Sequence, residues 1–127
     1  GLRILVVDDD LAVCGSLRDV LVEEGCKVFI AGGGLDALRI LDHESVDLVL
    51  SDVVMPDLDG YDLYMEVQRR GSTPVILMTG YYYDKDHVLK RSRLEGLEGI
   101  LFKKPVEPAR LKEMIRIQTG RASAKAS

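Results

Sequence analysis

The sequence predicts one α/β domain, a doubly wound five-stranded parallel sheet covered by helices on both faces. Three observations predict it. The chain has 127 residues, 46% of them hydrophobic, which is the size of a single core and too short for two. Five short apolar runs alternate with stretches of helical period in units of about 25 residues, the spacing of βαβ crossovers. Several runs break off at charged or hydroxylated residues, as buried parallel strands do on reaching the edge of a sheet.

Taken in order, Arg3 to Val7 (RILVV) is the first strand and ends in Asp8-Asp9-Asp10. From Leu11 to Glu24 the apolar residues Leu11, Val13, Cys14, Leu17, Val20 and Leu21 recur at helical steps, with Asp10 as the N-cap and Gly25 as the stop. Val28 to Ala31 is the second strand. Gly32-Gly33-Gly34 then turns into a helix that runs to His43 on Leu35, Ala37, Leu38, Ile40 and Leu41. The third strand, Leu48-Val49-Leu50, stops at Asp52. The turn-rich loop Met55-Pro56-Asp57-Leu58-Asp59-Gly60 leads into the helix Tyr61 to Arg70. Gly71 and Pro74 precede the fourth strand, Val75 to Met78. A loop from Thr79 to Tyr83, a polar helix from about Asp84 to Leu94, a fifth strand at Ile100-Leu101-Phe102 and a helix from Pro108 to Ile117 complete the pattern. Residues 1–120 are expected to form the domain, and residues 121–127 (RASAKAS), which lack periodicity, a disordered tail or linker.

Composition excludes several classes. With 12 Gly and 4 Pro the chain is neither collagen-like nor low in complexity. No apolar run approaches the roughly eighteen residues of a membrane span, and no signal peptide opens the chain, so a soluble, cytoplasmic protein without membrane insertion is expected. Cys14 and Cys26 lack CxxC or paired-His spacing and read as reduced buried thiols. A net charge of −4 argues against direct nucleic-acid binding. That charge is unevenly spread, with 4 Lys/Arg against 14 Asp/Glu in residues 1–64 and 13 against 7 in residues 65–127. Such asymmetry either marks two surfaces or, if the acids converge in space, a cation site.

In an open parallel sheet the site lies beyond the carboxyl ends of the strands, where the strand order reverses. Asp8, Asp9 and Asp10 follow the first strand, Asp52 the third, Thr79 the fourth, and Lys103 and Lys104 the fifth. The acids are therefore expected to meet. Gathered carboxylates repel one another, and a hard divalent cation with retained waters relieves this, which makes Mg²⁺ the natural occupant. A lysine and a threonine beside it suit phosphoryl oxygens, and one carboxylate would be the nucleophile, as in aspartyl-phosphate chemistry.

VVDDD after the first strand, SDVVMPDLDG after the third, MTG after the fourth and KKP after the fifth resemble the receiver domain of two-component response regulators, over roughly residues 2–118. The resemblance implies a flavodoxin-like (βα)₅ fold with strand order 2-1-3-4-5. It implies that Asp8 and Asp9 help bind Mg²⁺, together with Asp52 and the backbone carbonyl of Val54, and that Asp52 accepts a phosphoryl group from a partner's phosphohistidine. Thr79 would bond the acyl phosphate, and Lys104, identified by the Lys-Pro step it makes with Pro105, would pair with it. Lys103, one strand position away, would point to the other face, and Asp10 would cap the first helix rather than touch the metal. No cofactor other than Mg²⁺ is implied. Such a domain catalyses its own Mg²⁺-dependent phosphorylation and autodephosphorylation without being a conventional enzyme.

The sequence departs from the family pattern at Leu101, where an aromatic residue commonly stands, and at Val106, often Phe. Phe102 or the run Tyr81-Tyr82-Tyr83 would have to replace a rotamer switch at Leu101. The resemblance also implies that the residues two past the acceptor and two past the threonine tune hydrolysis; these are Val54 and Tyr81, and neither orients water well, so autodephosphorylation is expected to be slow. Among rivals, a haloacid dehalogenase-type phosphatase would need a Gly-Thr-like step where Leu11-Ala12 stands. Gly32-Gly33-Gly34 lacks dinucleotide spacing, and a flavodoxin would need a phosphate loop where the three acids lie. A pseudo-receiver, a non-phosphorylated interaction module, is the alternative reading.

The expected partners are a sensor histidine kinase or phosphotransfer protein, and an output domain or kinase module in the parent chain, of which this chain, opening at Gly1, would be a piece. Phosphorylation-dependent dimerisation is compatible with the sequence. The basic run Lys90-Arg91-Ser92-Arg93 is read as a solvated helix face, with a docking face as the other reading. His43 and His87 read as surface residues.

Overall fold

The structure, a computed structural model, describes residues 1–79, 101–103 and 107–120, with the backbone alone at Thr79 and residues 101–103. The expected helix over 84–94, Tyr81, Tyr82, Tyr83, His87, the basic run at 90–93, Lys104, Pro105, Val106 and the 121–127 tail lie outside the described residues.

The β-branched and leucine-rich runs pair as five parallel strands: β1 (Arg3–Val7), β2 (Lys27–Ala31), β3 (Leu48–Asp52), β4 (Val75–Thr79) and β5 (Leu101–Lys103), in the order β2-β1-β3-β4-β5. The described helices are α1 (Leu11–Glu23), α2 (Gly34–His43), α3 (Gly60–Arg70) and the C-terminal helix α4 (Pro108–Thr119). Three strand ends differ from expectation. β3 runs on through Ser51 to Asp52, β4 includes Thr79, and β5 includes Lys103, which was expected to follow it. Ladder pairing uses backbone groups and is indifferent to side-chain polarity, so a strand continues past its last apolar residue while a neighbour still pairs with it. Asp52 pairs in register with Met78 and Thr79 with Lys103.

Alternation along β1 divides the core. Ile4 and Val6 face one cluster with Cys14, Leu17 and Leu21 of α1 and Leu111 and Ile115 of α4. Leu5 and Val7 face the other, with Ala37 of α2 and Leu63 and Val67 of α3. All four β1 residues are 0% exposed, and each such side chain stabilises the fold by about 1.5–3 kcal/mol. Both faces are thus covered, and the strand order reverses between β1 and β3, which opens the crevice at their carboxyl ends.

Local signals set the helix ends. Asp10 Oδ1 accepts the Ala12 N–H at 3.0 Å, so this acid caps α1 as expected. Gly25 follows α1 with φ +83, a left-handed conformation that glycine adopts without strain. Arg70 Nη1 meets Asp42 Oδ1 at 2.6 Å and ties α3 to α2, and Lys112 Nζ meets Glu24 Oε1 at 2.6 Å and ties α4 to the end of α1. Cys14 and Cys26 are buried thiols not joined in a disulfide, in agreement with the sequence. Among the described residues no helix is long and apolar enough to cross a membrane.

Candidate functional site

The carboxyl ends of β1 and β3 bring three acids together. One carboxylate oxygen from each of Asp8, Asp9 and Asp52 lies within 4.8 Å of the others. Asp8 is 0% exposed and Asp52 5%, while Asp9 is exposed. Burying carboxylates side by side is unfavourable unless something offsets the repulsion and the lost hydration. Backbone donors offset part of it: Asp8 Oδ1 accepts the Asp10 N–H at 2.9 Å, and Asp52 Oδ1 accepts the Val53 N–H at 2.9 Å. The donor set is oxygen only and negatively charged, which fits a hard divalent cation such as Mg²⁺. Behind the cluster, Cys14 Sγ donates to the Asp8 carbonyl at 3.4 Å, which holds the start of α1 against the end of β1.

The segment after Asp52 is held at both ends. Val53 donates its N–H to Met78 O at 2.9 Å as well as to the Asp52 side chain, and Gly60 donates to Val53 O at 2.7 Å. A Cβ on Gly60 would lie 2.3 Å from Asp52 O and 2.8 Å from the Val53 Cα. Glycine is therefore required there by close approach of two backbones. Asp59 Oδ1 accepts the Asp62 N–H at 2.8 Å and caps α3. Asp57 reaches further, accepting from Leu58 at 2.6 Å, Leu35 at 3.1 Å and Gly34 at 3.2 Å. The backbone N–H groups of Leu58, Leu35 and Gly34 hold its carboxyl below the usual carboxylate range, and its slight loss of hydration opposes this without cancelling it.

The expected site residues sort accordingly. Asp8, Asp9 and Asp52 meet, and Asp10 is a cap. Val54 lies two residues past Asp52 with its half-buried side chain packed against the α2–α3 side of the core. Thr79 is the last residue of β4, one past the register partner of Asp52. Lys104 lies outside the described residues, directly after β5. Sequence reasoning missed Gly60, whose role depends on the close approach of a second stretch of backbone rather than on a local turn signal, and Asp57. The absence of an N-cap side chain at Gly33, beside a loop with a spare aspartate, was the available signal for the second.

Residues 4–116 match the response regulator receiver domain family. The chain is similar to transcriptional regulatory protein CpxR of Klebsiella pneumoniae, with 42% identity over 87 residues, 68% of this chain and 37% of that protein. It is also similar to an uncharacterized 14.6 kDa protein of Leptolyngbya boryana, with 35% identity over 116 residues, 89% of this chain and 86% of that protein. The chain spans 37% of CpxR and 51% of the probable transcriptional regulator ycf29 of Pyropia yezoensis, so it corresponds to about half or less of these relatives. Of solved structures, a response regulator receiver domain protein from Clostridium thermocellum superposes with a TM-score of 0.80 at 28% identity, covering 95% of this chain and 96% of that one. The receiver domain of a Pseudomonas aeruginosa sensor histidine kinase, solved with a magnesium ion coordinated in its active site cleft, gives a TM-score of 0.78 at 25% identity, covering 95% and 99%. With the fold, the acidic crevice and these matches in agreement, the chain belongs to the response regulator receiver domain family of two-component signalling.

Proposed function

We propose that the domain is a phospho-acceptor switch in which Asp52 takes a phosphoryl group from the phosphohistidine of a sensor histidine kinase or phosphotransfer protein. The observation that carries this reading is the convergence of Asp8, Asp9 and Asp52 within 4.8 Å at the carboxyl ends of β1 and β3. A carboxylate oxygen of Asp52 forms the bond to phosphorus as the phosphohistidine N–P bond breaks, and its electron pair leaves with the imidazole nitrogen. Asp8, Asp9, Asp52 and the Val54 carbonyl would hold Mg²⁺, which supplies neutralisation of phosphoryl charge.

Thr79 and Lys104 then bond the acyl phosphate. Charge-assisted hydrogen bonds contribute about 1.5–3 kcal/mol each, and moving a two-state element from 1:99 to 99:1 takes about 5.5 kcal/mol. The two together come near that figure and either alone falls short, so partner binding completes the shift. Val54 and Tyr81 leave an attacking water poorly oriented, which makes autodephosphorylation slow; an unchanged rate in Tyr81→Ala counts against this. In the parent protein an output domain or kinase module reads the switch.

The test is intact mass after incubation with Mg²⁺ and acetyl phosphate. The expected result is a Mg²⁺-dependent adduct of about 80 Da that is lost in Asp52→Asn. No adduct in the wild type would overturn the phospho-acceptor reading and leave a protein interaction module.

A further inference from the structure

α2 starts at Gly34, and its N-cap residue Gly33 contributes no side-chain hydrogen bond. The cap comes instead from 23 residues away in sequence, where Asp57 in the segment between β3 and α3 accepts from the Gly34 and Leu35 N–H groups. The glycines are shaped to this contact. A Cβ on Gly33 would lie 2.8 Å from Asp57 Oδ2, and one on Gly34 would lie 2.6 Å from the Leu58 Cβ. The turn Gly32-Gly33-Gly34 is thus a seat for the segment that follows Asp52. That segment is fixed at its ends by Val53 on Met78 and Gly60 on Val53, and Asp57 fixes its middle.

We infer that Asp57 is a positioning residue for the cation site, holding the 53–59 segment, and the Val54 carbonyl within it, in place through the amino end of α2. This rests on the reading of Val54 as a cation ligand given above. A residue that merely capped α2 would affect stability alone; one that positions the segment also sets the affinity of the site for Mg²⁺. Outer groups that orient metal ligands typically change affinity by at least tenfold when removed.

The two roles separate by variants of the full chain. Mg²⁺ titration followed by backbone amide shifts gives the half-saturating concentration, and thermal unfolding in a chelator gives stability without the ion. Asp57→Ala is expected to raise half-saturation about tenfold and lower the melting temperature. Asp57→Asn keeps an acceptor oxygen and is expected to stay close to wild type in both. Asp57→Ala combined with Gly33→Asp supplies α2 with a cap of its own. Gly33 has φ −179, an extended conformation open to any residue, and the carboxylate its Cβ would meet is gone. The double variant is expected to recover the melting temperature while its Mg²⁺ affinity stays weak.

Wild-type Mg²⁺ affinity in Asp57→Ala, or full recovery of affinity in the double variant, would overturn the positioning role while leaving the cation site intact. Absence of any Mg²⁺ response in the wild type would overturn the cation site itself and the positioning role with it, so the two failures are distinguishable.

Discussion

The two edges of the sheet treat their acids in opposite ways. At the amino edge, Asp47 Oδ2 accepts the Arg3 N–H at 2.8 Å, Glu44 Oε2 meets Arg3 Nη2 at 2.7 Å, and the same guanidinium donates from Nε to Ser45 O and lies 5.0 Å from the Phe29 ring centroid. At the carboxyl edge, Asp8, Asp9 and Asp52 meet one another. The first arrangement matches each acid with a donor and stabilises the fold. The second concentrates like charge, at a cost that a bound cation would offset. The difference separates residues that keep the sheet together from residues that make it useful.

The most severe way to break this contrast is Gly60→Ala. The added Cβ meets two backbone atoms of the Asp52-Val53 step rather than a flexible side chain, so the loop must move and stability falls by about 3 kcal/mol. Chemical denaturation checks the loss, and a midpoint unchanged from wild type would refute the close approach. Asp8→Asn acts in the other direction. It keeps an oxygen for the Asp10 N–H but removes a buried like charge, so without Mg²⁺ the variant should gain about 1 kcal/mol. At Mg²⁺ near 100 times the wild-type dissociation constant the wild type gains about 2.7 kcal/mol and the order of melting temperatures reverses. A variant that is less stable than wild type in chelator would show that the bonds made by the Asp8 carboxylate outweigh its repulsion from Asp9 and Asp52.

Arg3→Ala sharpens the contrast from the other edge. Losing a half-exposed ion pair, a backbone bond and a cation–π contact is expected to lower stability by about 1 kcal/mol and to leave the half-saturating Mg²⁺ concentration unchanged, as read from the same titration. The smallest effect is in pH. Because backbone donors depress the Asp57 carboxyl below the usual range, its contribution is fully present above about pH 4, the unfolded-state value, and is lost as pH falls through the depressed folded-state value. Asp57→Asn should flatten that acid limb of the stability profile; an identical limb in both proteins would assign it to other carboxyls.

Much of the fold was legible because its signals are local. Strand β1, the cap at Asp10, the stop at Gly25 and the start of α4 at Pro108 each follow from residues within one turn of the place they act. The meeting of Asp8, Asp9 and Asp52 was legible at one remove, since strand alternation puts the ends of β1 and β3 on one edge. What was not legible is what depends on distances between backbones that are far apart in sequence. Nothing in DLDG distinguishes Asp57, which caps α2, from Asp59, which caps α3, and the glycine run, though it lacks a cap of its own, does not say which distant residue supplies one. Strand ends were also displaced, at Asp52, Thr79 and Lys103, because hydrophobicity fades before the hydrogen-bond ladder does.

β3 has one further consequence. It lies between β1 and β4, and all five of its residues are buried. In mechanical terms Asp52 stands on a stiff mount, clamped on both sides by neighbouring strands and pressed from both faces by packed side chains. A stiff mount does not absorb load. Strain created at the Asp52 carboxylate would pass along the chain into the stretch from Val53 to Asp59, which is held by a few separate hydrogen bonds rather than by a continuous ladder. How firmly those few bonds hold, and not the yield of the sheet, would set how far a change at one side chain travels.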